Sequence, residues 1–213
     1  MKDPYYSQPE VSNSDLSWLK NQFESVSYRG EVEKAYKFGT LIDCMITEPD
    51  KVNYFTRECS GTVHSYDEFE QAQEMKKAFY KNEMCRIMAS QAKYQAIMRR
   101  RMSIVHDGFE FELPVRCKWD LWIGNHAVNG DIKSTAAETQ RQFEEAVRYF
   151  EYHRQRAWYM DIAQSDRDVL IGISKKNYKI FMVPITRGSE LYKLGKARYS
   201  ELAFKWHYLF SDF

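Results

Sequence analysis

The chain has 213 residues, a formal net charge of +1 and 15% aromatic residues. This length allows one sizeable hydrophobic core and is short for two independent domains. The near-zero net charge excludes a general attraction of polyanions by the whole protein, so a nucleic-acid partner would need a local basic channel.

The cysteines are widely spaced along the chain, at Cys44, Cys59, Cys85 and Cys117. No close C-x-x-C pair is present, which argues against a zinc site or an iron–sulfur cluster held by cysteine. With no secretory leader ahead of them, they predict free thiols in a reducing, intracellular setting. Since no apolar run approaches about 20 residues, we expect a soluble, cytoplasmic protein with no membrane contact.

Two helices are predicted near the N-terminus. Ser12 or Ser14 can cap the first, which ends near Phe23. Its apolar face contains Leu16, Leu19 and Phe23. The second is predicted from Lys37 to Ile46, because Pro49 cannot continue it.

Asp43 lies within the second predicted helix, in the apolar run Leu41-Ile42-Asp43-Cys44-Met45. An isolated carboxylate is costly to bury unless it is paired, bound to a metal or at the rim of the core. Two interpretations therefore remain open for Asp43: a carboxylate that is paired, bound to a metal or at the rim, or a helix residue that is exposed or has a partner on its own helix.

A long amphipathic pattern runs from Tyr66 to about Met102 and predicts one long helix or two helices in series. Arg99, Arg100 and Arg101 would lie in its last turn, where cations suit a helix C-terminus. Phosphate binding is the alternative role for these arginines. Alternation starts at Phe109, and the sheet is predicted to begin there.

The most informative stretch runs from Arg116 to Thr135. Asp120 lies on one alternating segment, and Asp131 and Lys133 lie on the next, with a glycine–asparagine turn between the segments. If both segments are strands, Asp131 and Lys133 point to one face while Ile132 points into the core. Two carboxylates and a cation would then meet at one hairpin.

This combination of side chains is typical of a metal site. Hard divalent cations such as Mg²⁺ are commonly held by one or two carboxylates together with substrate phosphate oxygens. Asp120 and Asp131 supply that minimum, and the backbone carbonyl of Ile132 is a further candidate ligand. Lys133 could hold an attacking water and offset charge on a phosphate. From spacing alone, solvated surface charge is the competing interpretation.

After the hairpin, one helix is predicted from Ala137 to about Ala163. Its apolar stripe consists of Phe143, Val147 and Phe150. A second stripe, with polar tips, consists of Tyr152, Gln155 and Tyr159.

Two apolar strands, 168–174 and 178–185, and a helix from Arg187 to about Phe204 complete the pattern. The aromatic tail that extends to Phe213 either docks on its own core or forms a subunit interface. The order of elements predicts an α/β fold with a central mixed sheet flanked by helices. A single domain would span 1–213, with an N-terminal helical part at about 12–105, the sheet and helix that carry the candidate site at about 109–185, and a C-terminal helix and tail at 187–213.

Five short motifs follow one another in a recognisable order. Ser12 to Leu19 fits S-x-S-x-L, and Phe38 to Pro49 fits G-T-x-x-H-x-x-x-x-E-P except at its histidine. The later motifs are Lys-Trp-Asp at 118–120, Gly-Asp-Ile-Lys at 130–133 and Q-x-x-x-Y from Gln155 to Tyr159. In this order they resemble the PD-(D/E)xK nuclease superfamily, specifically the exonuclease VIII (RecE-like) and RecB-type exonucleases of phage recombination systems. The match covers about residues 12 to 185.

The resemblance implies a restriction-endonuclease-like core and a Mg²⁺ cofactor, for which Mn²⁺ can substitute. The implied catalytic residues are Asp120, Asp131 and Lys133, and the implied metal ligands are Asp43, Asp120, Asp131 and the carbonyl of Ile132. Asp43 stands where the family has a histidine ligand, and a carboxylate is a chemically sensible replacement there. We expect DNA contacts from Gln155, Tyr159, Tyr152, Ser134 and Lys20.

The resemblance also implies an activity. The implied enzyme is an exonuclease that resects double-stranded DNA ends processively, from 5′ to 3′, and works together with a single-strand annealing protein. It would work as a trimeric or tetrameric ring in a bacterial or phage-infected cell. A structure-specific or restriction-type endonuclease on the same fold is the nearest alternative, and a catalytically idle DNA-binding or assembly subunit is another. The presence of Asp120, Asp131 and Lys133 argues against the idle subunit.

Overall fold

A computed structural model describes residues 4–24 and 29–210 of the chain. In this part the helices are α1 (Asn13–Phe23), α2 (Arg29–Thr47), α3 (Tyr66–Lys81), α4 (Glu83–Gln91), α5 (Gln140–Tyr149), α6 (Tyr152–Ala163) and α7 (Glu190–Phe210). The strands are β1 (Val52–Asn53), β2 (Glu58–Cys59), β3 (Thr62–Val63), β4 (Lys93–His106), β5 (Phe109–Trp122), β6 (Val128–Thr135), β7 (Arg167–Ser174) and β8 (Ile180–Thr186). The α/β class is confirmed.

A five-stranded sheet forms the centre of the fold, in the order β4-β5-β6-β7-β8. Strands β6 and β7 run parallel, and the other neighbouring strands are antiparallel. The predicted mixed sheet is therefore confirmed. A second, small sheet of β1, β2 and β3 follows α2. Its strands of two residues are too short to produce a visible alternation in the sequence.

The two faces of the central sheet bury two hydrophobic clusters. On one face Trp119 and Leu170 pack with Trp158 of α6 and Leu202 of α7. On the other face Ile171 and its neighbours pack with residues of α2 and α3. Successive residues of β7 thus enter opposite clusters, as the pleat of a strand requires. Burial on both faces explains why β7 reads as a continuous apolar run.

Both N-terminal helices are present, with different extents from those predicted. Ser12 caps α1 through a capping box with Asp15, as its sequence position suggests. Phe23 is exposed rather than buried, because it is the last residue of α1 and lies at the solvent edge. Helix α2 begins at Arg29, eight residues before the predicted start, and ends at Thr47 ahead of the proline.

The predicted helix from Tyr66 to Met102 is wrong in its last part. Helix α3 ends at Lys81, and Asn82 starts α4 by accepting a hydrogen bond from the amide of Cys85 at 3.1 Å. After α4 the chain enters the sheet at Lys93. The predicted start of the sheet at Phe109 is therefore also wrong.

Strand β4 looks helical in sequence for a physical reason. The run Arg99–Arg101 interrupts the apolar alternation of β4, while β5 pairs with it from Lys93 opposite Trp122 to His106 opposite Phe109. Pairing with a neighbouring strand decides the structure here and overrides local propensity. The three arginines consequently lie on a strand and do not close a helix.

The predicted helix from Ala137 to Ala163 is two helices with a sharp break. Glu151, between α5 and α6, has a φ of 54°, in the left-handed region. Phe143 and Val147 are buried as expected, but Phe150 is exposed because α5 has already ended at Tyr149. The prediction for Phe150 is therefore wrong.

The last part of the described chain is a strand pair and a long helix. Strands β7 and β8 form the predicted hairpin. Helix α7 continues to Phe210, so the aromatic run from Phe204 onward is helical, while Phe213 lies outside the described residues. Gly195 allows α7 to approach α6 closely, since a Cβ atom there would lie 2.3 Å from the carbonyl oxygen of His153.

All four cysteines lie in the described residues as buried, free thiols, as predicted. Burial raises the pKa of Cys85 and of Cys117 to about 12, which keeps both in the unreactive thiol form. Within residues 4–24 and 29–210, no helix combines the length and the apolar composition that crossing a membrane requires.

Candidate active site

The hairpin of β5 and β6 is closed by a buried asparagine. The side-chain oxygen of Asn129 accepts hydrogen bonds from the amides of Ile123 and Gly124 at 2.8 and 3.1 Å. Its side-chain nitrogen donates to the carbonyl of Gly124 at 2.9 Å. These bonds hold the turn between the two strands and thereby fix the residues that follow on β6.

The hairpin brings Asp120, Asp131 and Lys133 together. One carboxylate oxygen of Asp120 accepts a hydrogen bond from the amide of Ile132 at 2.8 Å. The carboxylate of Asp131 lies 2.7 Å from the ammonium of Lys133. The side chain of Ile132 enters the core formed with α2 and α3. The two acids and the lysine therefore belong to one site on adjacent strands.

Asp43 approaches this site from α2. Its carboxylate accepts hydrogen bonds from the side-chain amide of Gln95, at 3.1 and 3.3 Å, and from the hydroxyl of Thr47, at 3.2 Å. Gln95 lies on β4 with a φ of 50°. Asp43 is therefore held both by Thr47 on its own helix and by Gln95 on a strand, and it is not a fully exposed helix residue.

The carboxylates influence one another electrostatically. Burial, followed by the charges of neighbouring groups that include Asp131, raises the pKa of Asp43 to about 6. Burial, followed by the charges of Asp43 and Asp131, raises the pKa of Asp120 well above its usual range. Neighbouring acids thus disfavour the ionisation of Asp43 and Asp120, and a region of this kind attracts a cation.

Lys133 is the cation already present among these acids. Burial alone would lower its pKa, but Asp131 and Asp120 outweigh burial and raise the pKa of the ammonium above its usual value. Lys133 therefore stays protonated at neutral pH, as a donor of hydrogen bonds beside two carboxylates.

The donor chemistry fits a hard divalent cation. The site offers carboxylate oxygens from Asp43, Asp120 and Asp131, and the Oδ2 atom of Asp131 is paired with the Lys133 ammonium at 2.7 Å. A hard divalent cation takes such oxygens as ligands and would relieve the repulsion between the acids. Over residues 4–24 and 29–210, no three His, Cys, Asp or Glu side chains converge tightly enough to hold an ion as they stand. The site therefore suits a divalent cation by the chemical type of its ligands, although these ligands are not already arranged around an ion.

A buried arginine, Arg156, holds one of the carboxylates of the site. Arg156 donates from Nη1 to Asp131 at 2.7 Å and from Nε to Asp168 at 2.5 Å. Its guanidinium carbon lies 4.5 Å from the ring centroids of both Trp119 and Tyr159. Arg156 thus fixes the orientation of Asp131, and the hydrogen bonds that connect Asp131, Arg156 and Asp168 are fully buried.

Sequence reasoning did not single out Arg156 or Asp168. The available signal was the one that drew attention to Asp43, namely a charged residue in an otherwise buried segment. Arg156 lies inside the Gln155–Tyr159 motif, and Asp168 is the second residue of the apolar strand β7. Since Arg156 and Asp168 are buried and charged, each needed a partner, but the sequence does not reveal which residues those partners are.

The two motif residues of α6 lie close to this network. Tyr159 is buried, and burial raises its pKa well above the usual range. Its hydroxyl accepts a hydrogen bond from the side-chain amide of Gln155 at 3.4 Å. Gln155 is partly exposed. The pair therefore extends from the core beside Arg156 toward solvent.

The other predicted DNA contacts lie at different distances from the acids. The ring centroid of Tyr152 is 5.2 Å from the Lys133 ammonium. Ser134 follows Lys133 on β6 and faces α2 at Gly39, where a Cβ atom would lie 3.8 Å from the serine hydroxyl. Lys20 pairs with Glu151 at 3.1 Å and with Glu24 at 3.6 Å. Lys20 thus adjoins the turn before Tyr152 and not the acids themselves.

The mixed five-stranded sheet and the Asp…Asp-x-Lys arrangement on its central hairpin define a PDDEXK-like nuclease fold. The model of the family described as "PDDEXK-like domain of unknown function (DUF3799)" matches residues 15–190. This match covers most of the chain, and the protein belongs to this family.

Two solved structures are similar in outline. One is a phage-related exonuclease from Haemophilus somnus 129PT, with 12% identity and a TM-score of 0.41 over 93% of this chain and 93% of that chain. Another is an alkaline exonuclease (LHK-Exo) from Laribacter hongkongensis, with 14% identity and a TM-score of 0.34 over 94% of this chain and 91% of that chain. None of the curated proteins matches the sequence significantly. Family membership therefore rests on the family model.

Proposed function

We propose that the protein is a deoxyribonuclease that depends on a divalent metal ion. The observation that carries this proposal is the meeting of Asp120, Asp131 and Lys133 on one hairpin, with the Lys133 ammonium 2.7 Å from Asp131. Hydrolysis of a phosphodiester requires both neutralisation of the phosphate and activation of water. Paired acids for a metal and an adjacent lysine meet these two requirements.

The metal ligands proposed are Asp43, Asp120, Asp131 and the backbone carbonyl of Ile132. Mg²⁺, or Mn²⁺ in its place, would supply Lewis-acid polarisation and positive charge at the phosphate. Lys133 would donate a hydrogen bond to the attacking water or to a phosphate oxygen and so stabilise the developing negative charge. Its raised pKa suits this role, because a lysine that remains protonated cannot accept the proton of the water.

The DNA contacts proposed are Gln155, Tyr159, Tyr152, Ser134 and Lys20. Tyr152 and Ser134 are the best supported, since the first approaches the Lys133 ammonium and the second follows it on β6. Lys20 would bind a phosphate only by exchanging it for the carboxylate of Glu151.

Beyond cleavage itself, we propose an exonuclease that resects double-stranded ends processively in the cytoplasm of a bacterial or phage-infected cell. A trimeric or tetrameric ring and a single-strand annealing protein as partner belong to the same proposal. The support for these finer features is the resemblance of the motifs to the phage exonucleases.

The requirement for an end is tested by comparing linear duplex DNA with a covalently closed circle of the same sequence in Mg²⁺. We expect the linear DNA to be degraded and the circle to stay intact, because an exonuclease needs a terminus. A nick introduced into the circle provides the control for substrate quality. Digestion of the closed circle would instead favour the endonuclease alternative.

A second prediction concerns Asp43 as a metal ligand. We expect Asp43→Ala to raise the Mg²⁺ concentration needed for half-maximal cleavage by about tenfold or more, since a charged oxygen ligand is lost. Folding should change little, because the raised pKa of Asp43 means that its ionised form does not favour the folded state. A Mg²⁺ titration and a thermal melt measure the two effects.

The matched control for Asp43→Ala is Asp50→Ala, which removes an exposed carboxylate shortly after α2. This control should leave the Mg²⁺ titration unchanged. If Asp43→Ala also left it unchanged, Asp43 would not be a direct ligand.

A further inference from the structure

Three aromatic side chains contact one another in a row that ends at Lys133. The ring of Tyr152 lies 5.2 Å from the Lys133 ammonium. Phe150 stacks on Tyr152, with a centroid distance of 5.6 Å and an interplanar angle of 25°. Tyr149 meets Phe150 edge-on at 4.9 Å. We call Tyr149, Phe150 and Tyr152 the aromatic stack.

The outer rings of the stack are open to solvent. Tyr149 is 80% exposed and Phe150 is 57% exposed, whereas Tyr152 is partly buried. Neither outer ring contributes to the two hydrophobic clusters of the sheet. Adjacent exposed aromatic rings beside a candidate active site are typical of a binding surface.

The turn that carries the stack is held in a strained conformation. Glu151, between Phe150 and Tyr152, has a φ of 54°, a conformation that costs a non-glycine residue about 1 kcal/mol or more. Its carboxylate is paired with Lys20 at 3.1 Å, Arg154 at 3.1 Å and Arg198 at 2.9 Å. These contacts come from α1, α6 and α7, so three elements stabilise the turn that displays the rings.

The position of the stack indicates its ligand. If a phosphate of the DNA strand lies at Lys133, the bases attached to that strand lie close by, and the aromatic stack offers them flat ring faces that begin 5.2 Å from the Lys133 ammonium. A base in the interior of a duplex is covered on both faces, whereas an unpaired base exposes a face that can stack on an aromatic ring. A base is therefore a better match for these rings than a phosphate or an apolar peptide.

We propose that the aromatic stack binds an unpaired base of the DNA strand that is being cut, next to the scissile phosphate. This inference rests on the proposed function and adds to it that nucleotides near the cut leave the duplex. Base stacking on Phe150 and Tyr149 would help to hold them apart from the complementary strand.

Binding with Ca²⁺ in place of Mg²⁺ tests the proposal without cleavage. The probes are a fluorescent duplex with a short single-stranded end and matched duplexes in which one end nucleotide at a time is abasic. For the wild type, we expect the abasic nucleotide to weaken binding about fivefold or more at one or two positions, because a base that stacked is missing. For Phe150→Ala, we expect weaker binding of the intact probe and no further loss at those positions.

Two other variants complete the design. Phe150→Trp keeps an aromatic ring and should retain the sensitivity to the abasic nucleotide, while Phe150→Leu keeps only an apolar side chain and should lose it. Phe55→Ala removes a ring that is 93% exposed, in the turn between β1 and β2, and should behave as the wild type. Thermal melts establish that each variant is folded.

The inference is overturned if the abasic nucleotide has no effect on the wild type at any position, or if Phe150→Ala keeps the wild-type sensitivity. In the latter case Phe150 only supports Tyr152 within the protein. Cleavage of linear DNA by the wild type in Mg²⁺, measured in parallel, tests the proposed function separately. If the wild type cleaves linear DNA but binds the abasic probes as tightly as the intact probe, the stacking site is ruled out and the proposed function stands.

Discussion

Lys133→Ala is expected to reduce DNA cleavage by about a hundredfold or more at saturating Mg²⁺. The ammonium of Lys133 lies 2.7 Å from the carboxylate of Asp131 and carries the positive charge beside the acids of the site. Alanine removes the hydrogen-bond donor that would stabilise charge on the phosphate. Since the lysine acts after DNA is bound, the loss should fall mainly on the maximal rate and less on the DNA concentration required.

Lys133→Ala should remain folded. Asp131 keeps its hydrogen bond to Arg156 when Lys133 is absent, so one cation still faces its buried carboxylate. The matched control is Lys81→Ala, which removes an exposed lysine at the end of α3. Initial rates on linear duplex DNA and thermal melts compare the variants. Full activity in Lys133→Ala would contradict the proposed mechanism.

Arg156→Met is expected to lower the free energy of unfolding by about 3–5 kcal/mol. The arginine is buried between Trp119 and Tyr159 and is bound to Asp131 and Asp168. Methionine fills similar space but leaves two buried carboxylates without this cation. For a chain of this size the melting temperature should fall by on the order of 10 °C.

The matched control for Arg156→Met is Arg141→Met, which breaks an exposed pair with Glu145 on α5. That change should alter stability by no more than about 0.5 kcal/mol, because an exposed ion pair contributes little. Adding Asp168→Asn to Arg156→Met should recover part of the loss by removing one uncompensated acid. Equal effects of Arg156→Met and Arg141→Met would contradict a buried network at Arg156.

The central hairpin could be predicted from the sequence because its signals are local. Alternation over β5 and β6 and the spacing of Asp131 and Lys133 are sufficient to place both side chains on one face. The partner of Asp43 on β4 could not be predicted in this way. Gln95, which binds Asp43, lies on β4, and its segment has a helical pattern in the sequence.

The break between α5 and α6 was not predictable for a related reason. No glycine or proline marks Glu151, and its left-handed conformation is supported by Lys20 and Arg198, which are distant in the sequence. The same holds for Arg156, whose partners lie on β6 and β7. Features that depend on partners from several elements become visible only when the fold brings them together.

The central claim is that Asp43, Asp120, Asp131 and Lys133 form a metal-dependent DNA-cleaving site. The most direct measurement is a time course on end-labelled linear duplex DNA, with the wild type in Mg²⁺, the wild type in excess chelator and Lys133→Ala in Mg²⁺. We predict progressive shortening of the DNA from its ends by the wild type in Mg²⁺ and little or none in the other two reactions. Equal shortening in all three reactions, or none in any, would contradict the claim.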